Sequence, residues 1–190
     1  MVIKLFTLYL SLVTMSGLPQ VAIKSRVYGV DDFNRIVTYG AGNLNIEHSD
    51  KYTLEVHAIN DCIELVEISV LLKTLYFVVK DSKTSTCNCT IDIGVPAINE
   101  LVQNGGGNIV FKKDFSPANS FDCKIKRGGN IDVSLLSVDS FYASIQDGGE
   151  ILLNAQMALE GNISGGGLIE YLGDPTVKSS VSGGGAIRMK

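Results

Sequence analysis

Five copies of a Gly-Gly-x-Ile motif recur in the C-terminal half of the chain, and this repeat restricts the fold more than any other feature. The copies are 106–109, 128–131, 148–151, 166–169 and 184–187, and a looser one is Gly40-Ala41-Gly42-Asn43-Leu44. Successive isoleucines are 22, 20, 18 and 18 residues apart. Spacing this regular is typical of a supersecondary unit that repeats in space.

Each repeat reads as a strand, a glycine corner, a second strand and a turn. Glycine reaches positive φ without steric cost, so a glycine pair allows a sharp corner. The residues that follow alternate in polarity, as in Ile131-Asp132-Val133, which indicates a strand with one buried face. A unit this short buries its apolar face only by stacking on its neighbours. We therefore predict an all-β fold, a short right-handed β-helix or β-solenoid, with an irregular β-sandwich as the alternative.

The N-terminal half is less regular but also reads as strands. Segments 53–59, 74–79 and 90–96 are β-rich, and the last stops at Pro96, which cannot donate to a central ladder. Residues 62–72 fit either a short helix or extended chain. Asn43, Asn108 and Asn130 each follow a glycine corner, so their side chains could form a stacked hydrogen-bonded ladder.

Residues 1–22 resemble a secretory signal peptide, and we assign residues 23–190 to one β-solenoid domain. Lys4 precedes an apolar run from Leu5 to Met15, which is too short to span a bilayer. Gly17 and Ala22 both fit as the last residue removed. The alternative is that the apolar run is the first β-strand. We expect no integral membrane span in the mature chain.

Charge argues against nucleic acid as a partner. The formal net charge is −4 and basic residues are scattered, whereas nucleic-acid binding needs a basic stripe. The cluster Lys124-Lys126-Arg127 fits a solvated turn or a small anion site.

The four cysteines leave three interpretations open. Cys62, Cys87, Cys89 and Cys123 would lie in an oxidising compartment after export. Buried thiols, a disulfide and a metal site are all compatible with their spacing. A bond from Cys87 or Cys89 to Cys123, on a neighbouring repeat, is easier to build than one between Cys87 and Cys89.

The C-terminal repeats resemble a known family. Residues 159–175, which read LEGNISGGGLIEYLGDP, and the later segment Ser182–Ile187 are similar to the C-terminal signature of the "putative autotransporter adhesin, head GIN domain" family. Segments 28–33, 40–42 and 91–101 are similar to its opening strands and first glycine corner. The resemblance covers residues 26–190 and implies an exported bacterial β-helix-like domain. The family name implies adhesion, and a C-terminal transporter barrel has no room in these 190 residues.

Hydrolytic chemistry on a solenoid would need paired acids on one exposed face. The candidate acids are Asp92, Asp132, Asp139 and Glu170 on strands, with Asp122 and Asp147 nearer turns. Acids at outward strand positions are common without catalysis. His48 and His57 have no ligand at metal-binding spacing, and no nucleophile elbow or P-loop is present. We predict no enzyme, and no catalytic, cofactor-binding or metal-ligating residues.

The sequence thus predicts a non-enzymatic exported protein of the periplasm, outer-membrane surface or extracellular space. It would act as an adhesin, or as a binding or scaffolding domain, for an unknown protein or glycan. The alternatives are a periplasmic structural protein and a polysaccharide-active solenoid enzyme. Solenoid ends expose open strand edges, so we also expect self-association through them.

Overall fold

The computed structural model describes residues 5–6, 23–80, 87, 89–112 and 115–190. Among these residues the fold is all-β, with 16 strands in one curled mixed sheet and a 3-10 helical turn at Asn60–Leu65. No helix in this part of the chain has the length and apolar character that crossing a bilayer requires.

The strands lie where the alternating segments predict them. Those before the first regular repeat are β1 Leu5–Phe6, β2 Ile23–Tyr28, β3 Arg35–Tyr39, β4 Asn43–His48, β5 Thr53–Ile59, β6 Val66–Leu71, β7 Thr74–Val79, β8 Cys89–Val95 and β9 Glu100–Asn104. The remaining strands are β10 Asn108–Phe111, β11 Ala118–Ile125, β12 Asn130–Gln146, β13 Glu150–Ser164, β14 Leu168–Leu172, β15 Thr176–Ser182 and β16 Ala186–Met189. Each Gly-Gly-x-Ile copy therefore joins the end of one strand to the start of the next.

The sheet contains two stacks of parallel strands. The front stack runs in the order β8, β4, β10, the first residues of β12 and of β13, β14 and β16. The rear stack runs in the order β7, β3, β9, β11, the later parts of β12 and of β13, and β15. The glycine corners carry the chain from the rear stack to the front stack.

The repeated isoleucines align in one inward row. Ile109, Ile131, Ile151, Ile169 and Ile187 are direct register partners on successive front strands. All but Ile187 are at most 1% exposed. Burying one such side chain stabilises the fold by about 1.5–3 kcal/mol, so this row supplies much of the continuous core that the repeat predicted.

The core narrows toward β16. At one inward register position of the rear stack, the side chain becomes smaller from strand to strand. The residues at this position are Leu101, Cys123, Ala143 and Gly161. A Cβ on Gly161 would lie 2.8 Å from Cδ1 of Ile187. The opposite stack therefore fills the space that the smaller residues leave.

The predicted asparagine ladder is present. The side-chain amide of Asn108 donates to Oδ1 of Asn43 at 3.3 Å, and the amide of Asn130 donates to Oδ1 of Asn108 at 2.9 Å. The backbone N–H of Asn108 also donates to Oδ1 of Asn43 at 3.0 Å. The ladder ties the first three corners together beside the isoleucine row.

The N-terminal half departs from a regular parallel stack because it contains antiparallel pairs. β5 is antiparallel to both β2 and β8, and β6 is antiparallel to β7. The β6–β7 turn has only two residues, Leu72 and Lys73, both at positive φ, and so short a connection can join only antiparallel strands. The ambiguous segment 62–72 divides between the 3-10 turn and β6.

Part of the predicted targeting segment is visible. Leu5 and Phe6 pair antiparallel with Tyr28 and Val27. The rest of residues 1–22 lies outside the described residues, so the signal-peptide assignment stays a prediction.

Of the interpretations that the sequence left open, the structure contains both a disulfide and buried thiols. The disulfide joins Cys62 to Cys87, with their Cα atoms 5.4 Å apart, and does not involve Cys123, to which the sequence predicts an easier bond than one between Cys87 and Cys89. The antiparallel register of β5 and β8 places Ala58 opposite Cys89. Cys87 precedes β8 and Cys62 lies in the 3-10 turn that follows β5, so the two cysteines lie next to each other at the same end of this strand pair. Cys89 and Cys123 are buried free thiols. Cys123 points into the core between Leu101 and Ala143, where no partner cysteine can reach it.

Glycine replacement tests the corner geometry. Gly107 has φ +98°, and an added Cβ would lie 2.1 Å from the carbonyl oxygen of Gly42, whereas Gly106 has no atom closer than 4.0 Å. We expect Gly107→Ala to lower the free energy of unfolding by about 2 kcal/mol or more. Gly106→Ala should change it by less than about 0.5 kcal/mol. Equal effects in urea titrations of the two variants would contradict this account of the corner.

Thiol accessibility tests the cysteine assignment. Burial raises the pKa of Cys89 to about 11 and, assisted by the charge of Asp122, also raises that of Cys123. Both thiols should therefore stay protonated and unreactive toward a thiol reagent at pH 8. Unfolding without reductant should release two reactive thiols, and unfolding with reductant should release four. Rapid labelling of the folded chain would contradict the assignment.

Candidate functional site

One row of outward side chains crosses the front stack. In register order it contains Asp92, Asn45, Val110, Asp132, Leu152, Glu170 and Arg188. We call these seven residues the outer row. Their inward neighbours form the core, so strand alternation fixes the outer row on the solvent side. Three of the sequence-predicted acids, Asp92, Asp132 and Glu170, thus share one row.

A groove lies over the outer row between Asp132 and Glu170. Its volume is about 220 Å³. Its polar lining comes from Asn130, Asp132, Glu150, Glu170 and Lys190, and Leu152 and Leu168 add apolar surface. Neighbouring strands are about 4.8 Å apart, so Asp132 and Glu170, two strands apart, are separated by about 9.6 Å at Cα.

Both central acids already accept hydrogen bonds. Arg188 donates to Oε1 of Glu170 from Nε at 3.0 Å and from Nη2 at 2.8 Å. The hydroxyl and the backbone N–H of Ser134 donate to Oδ1 of Asp132 at 2.6 and 3.0 Å. Each carboxylate has a second oxygen for a ligand, so the groove presents fixed acceptors on either side of Leu152.

Asp92, at the other end of the outer row, belongs to a separate polar cluster that the sequence reasoning missed. Nε2 of His57 lies 3.1 Å from Oδ2 of Asp92, and Nδ1 of His57 lies 2.7 Å from the hydroxyl oxygen of Ser25. The side-chain amide of Asn45 donates to Oδ1 of Asp92 at 2.7 Å. The antiparallel pairing of β2, β5 and β8 brings these residues together, and no spacing along the chain signals it.

The Ser25–His57–Asp92 chain has the order of contacts found in serine hydrolases but lies on an open sheet face. Ser25 is in the middle of a regular strand rather than on a sharp turn before a helix. A nucleophilic serine also requires N–H donors aimed at the developing oxyanion. The arrangement is a cross-strand hydrogen-bonded row that stabilises the antiparallel part of the sheet.

The remaining sequence candidates lie apart from the groove. Asp122 is on the rear stack, where Nζ of Lys124 lies 3.4 Å from it and 3.0 Å from Glu100. Burial opposes the charge of Lys124, but Glu100 and Asp122 together raise its pKa. These ion pairs engage Lys124, the first residue of the basic cluster Lys124-Lys126-Arg127 that could have formed an anion site.

The other candidate acids and histidine have no common site. Asp139 is a half-buried residue of β12, and Asp147 is at a corner with φ +61°. His48 packs edge-on against Phe115, with ring centroids 5.8 Å apart. Within the described ranges, no group of three or more His, Cys, Asp or Glu side chains is placed to hold a metal ion.

Comparison with known proteins identifies what the chain is similar to. The family model described as "Putative auto-transporter adhesin, head GIN domain" matches residues 32–154 and 115–175. Among curated proteins, none matches the sequence.

Several solved structures are similar to this chain at low sequence identity. The crystal structure of a putative adhesin from Bacteroides fragilis NCTC 9343 has a TM-score of 0.56 and 20% identity, and the match covers 92% of this chain and 99% of that one. A putative lipid binding protein from Parabacteroides distasonis ATCC 8503 has a TM-score of 0.49 and 18% identity, covering 88% and 96%. A putative adhesin from Parabacteroides merdae ATCC 43184 has a TM-score of 0.48 and 16% identity, also covering 88% and 96%.

Proposed function

The chain belongs to the putative auto-transporter adhesin, head GIN domain family, and on that premise we propose that it is a non-enzymatic exported protein that binds a partner at the cell envelope or surface. The observation that carries the proposal is the groove over Asp132, Leu152 and Glu170. Its side chains stand on strands held in register, so the binding groups are positioned before a ligand arrives.

The lining of the groove fits a hydroxyl-rich ligand. The carboxylate and amide oxygens of the groove can accept hydrogen bonds from hydroxyls, and Leu152 offers an apolar contact. These acceptors belong to Asp132, Glu150, Glu170 and Asn130. The groove is open to solvent and crosses three neighbouring strands, β12, β13 and β14, which suits an extended chain more than a small enclosed molecule. A surface glycan is therefore the favoured ligand, and a protein segment is the alternative.

Cleavage of a bound glycan is the second candidate, because Asp132 and Glu170 share the groove. Glycoside hydrolysis needs one carboxyl group that donates a proton and a second that acts as base or nucleophile. Glu170 instead accepts two hydrogen bonds from Arg188, and Asp132 accepts two from Ser134. These contacts favour binding without cleavage.

We infer further that the two parallel stacks wind as a short right-handed β-solenoid. The register-matched isoleucines support a repeating coil. Crossover connections between parallel strands are right-handed in about 98% of cases, which supports the hand.

Export is part of the proposal, and the Cys62–Cys87 disulfide supports it. Disulfides persist in oxidising compartments and are rare in the cytosol. Residues 1–22 would supply the targeting signal, and residues 23–190 would form the single mature domain.

Carboxylate replacement in the groove tests the binding site. We expect the double variant Asp132→Asn, Glu170→Gln to lose about tenfold or more of its affinity on a panel of surface glycans, because charged acceptors contribute about 1.5–3 kcal/mol each. The control Asp139→Asn, Asp174→Asn removes the same charge outside the groove and should bind normally. Equal binding by both double variants would overturn the site, and released sugar ends would overturn the non-enzymatic assignment.

Protease treatment of intact source cells, with a periplasmic marker as control, tests the location. We expect digestion of the chain while the marker stays intact, which would establish surface display. Protection until the outer membrane is permeabilised would replace the adhesin role with a periplasmic structural one. Retention in the cytosol would overturn the signal-peptide prediction.

A further inference from the structure

The last strand of the rear stack has an open edge. Among the described strands β15 is hydrogen-bonded to β13 alone, and β16 to β14 alone. Val181 is 43% exposed and Met189 is 54% exposed, while Val177 and Ile187 are half-buried against the core. An exposed edge of this kind, with inward apolar side chains, is a template for a further strand.

The backbone of β15 shows which groups face that edge. The backbone N–H of Gly165 donates to the carbonyl of Ser182 at 2.7 Å, so the N–H and C=O groups of Ser182 and of every second residue before it face β13. Because these groups alternate in direction along a strand, Val177, Ser179 and Val181 present theirs to the open edge.

The same three residues form the inward face, and their order is a palindrome. Val177, Ser179 and Val181 are register partners of the buried residues Leu159, Gly161 and Ile163. Valine stands on either side of a central serine. Read in the opposite direction, the inward face of β15 is unchanged.

We propose that β15 pairs antiparallel with β15 of a second copy of this chain, around a two-fold axis at Ser179. In this register Val177 faces Val181 of the second copy, and the two Ser179 residues face each other. All three positions carry edge-facing N–H and C=O groups, so each pair exchanges two hydrogen bonds and the interface gains about six. The valines and the exposed end of the core become buried together.

The outward side chains fit this register as well. Lys178 lies opposite Ser180 of the second copy, not opposite the other Lys178, so no like charges meet. An edge that matches itself in hydrogen bonding, apolar side chains and charge favours a closed two-fold dimer. The dimer does not depend on which ligand the groove binds.

Sedimentation equilibrium of the full chain tests the interface. We expect a concentration-dependent monomer–dimer equilibrium for the natural sequence. Ser179→Pro removes an edge-facing N–H and spares the bonds to β13, so it should give a monomer with a cooperative thermal transition. Ser180→Ala leaves all edge-facing groups in place and should still dimerise. A chain that stays monomeric at its highest soluble concentration would overturn the proposal, as would a dimer that survives Ser179→Pro.

Charge at residue 180 tests the register. Ser180→Glu would place a carboxylate opposite Lys178 of the second copy, and Ser180→Lys would place a like charge there. With two symmetric pairs, we expect the dimer to tighten roughly twofold to thirtyfold for Ser180→Glu and to weaken similarly for Ser180→Lys. Asn162→Lys adds the same charge one strand inside and should have little effect. Equal weakening by Asn162→Lys and Ser180→Lys would overturn the register.

Discussion

The close approach of successive glycine corners is the constraint on which the rest of the structure depends. A Cβ on Gly107 would lie 2.1 Å from the carbonyl oxygen of Gly42, and a Cβ on Gly183 would lie 2.3 Å from that of Gly165. Parallel strands are about 4.8 Å apart, which leaves no room for a side chain where one corner lies over the next. Because each corner joins the end of a rear strand to the start of a front strand, a displaced corner would shift the register of both stacks together.

That register gives inward and outward side chains different roles. Inward positions repeat nearly the same residue, so that Ile131 packs between Ile109 and Ile151 and the core is continuous. Outward positions differ between neighbouring strands, as Asp132, Leu152 and Glu170 show. Replacing an outward residue leaves the core intact, so the side chains of the outer row can vary without a change of fold. This division of roles gives a rigid sheet face, which supports the proposed binding role.

The two ends of the parallel stacks differ in whether further strands cover them. At one end antiparallel strands β5 and β2 continue the front stack past β8, and the Cys62–Cys87 disulfide ties the following turn to the sheet. At the other end β15 and β16 keep the same corner geometry, and within the described part of the chain their outer edge is unpaired. An unpaired edge with inward valines gains hydrogen bonds and apolar burial from any matching strand, and the palindrome of β15 makes a second copy of the chain a matching partner.

The sequence by itself determined the all-β class, the corners, the isoleucine row and the asparagine ladder, because each follows from local steric preference or from period-two alternation that repeats in register. It also placed β5, β7 and β8 within a residue of their bounds. Only the tertiary structure decided which strands run antiparallel, that Cys62 bonds to Cys87, and that His57 meets Asp92 and Ser25. The Cys62–Cys87, His57–Asp92 and Ser25–His57 contacts join residues that are 25, 35 and 32 positions apart. They depend on the path of the chain through its turns. The alternation of polar and apolar residues within one strand fixes which side chains face inward, but it does not fix that path.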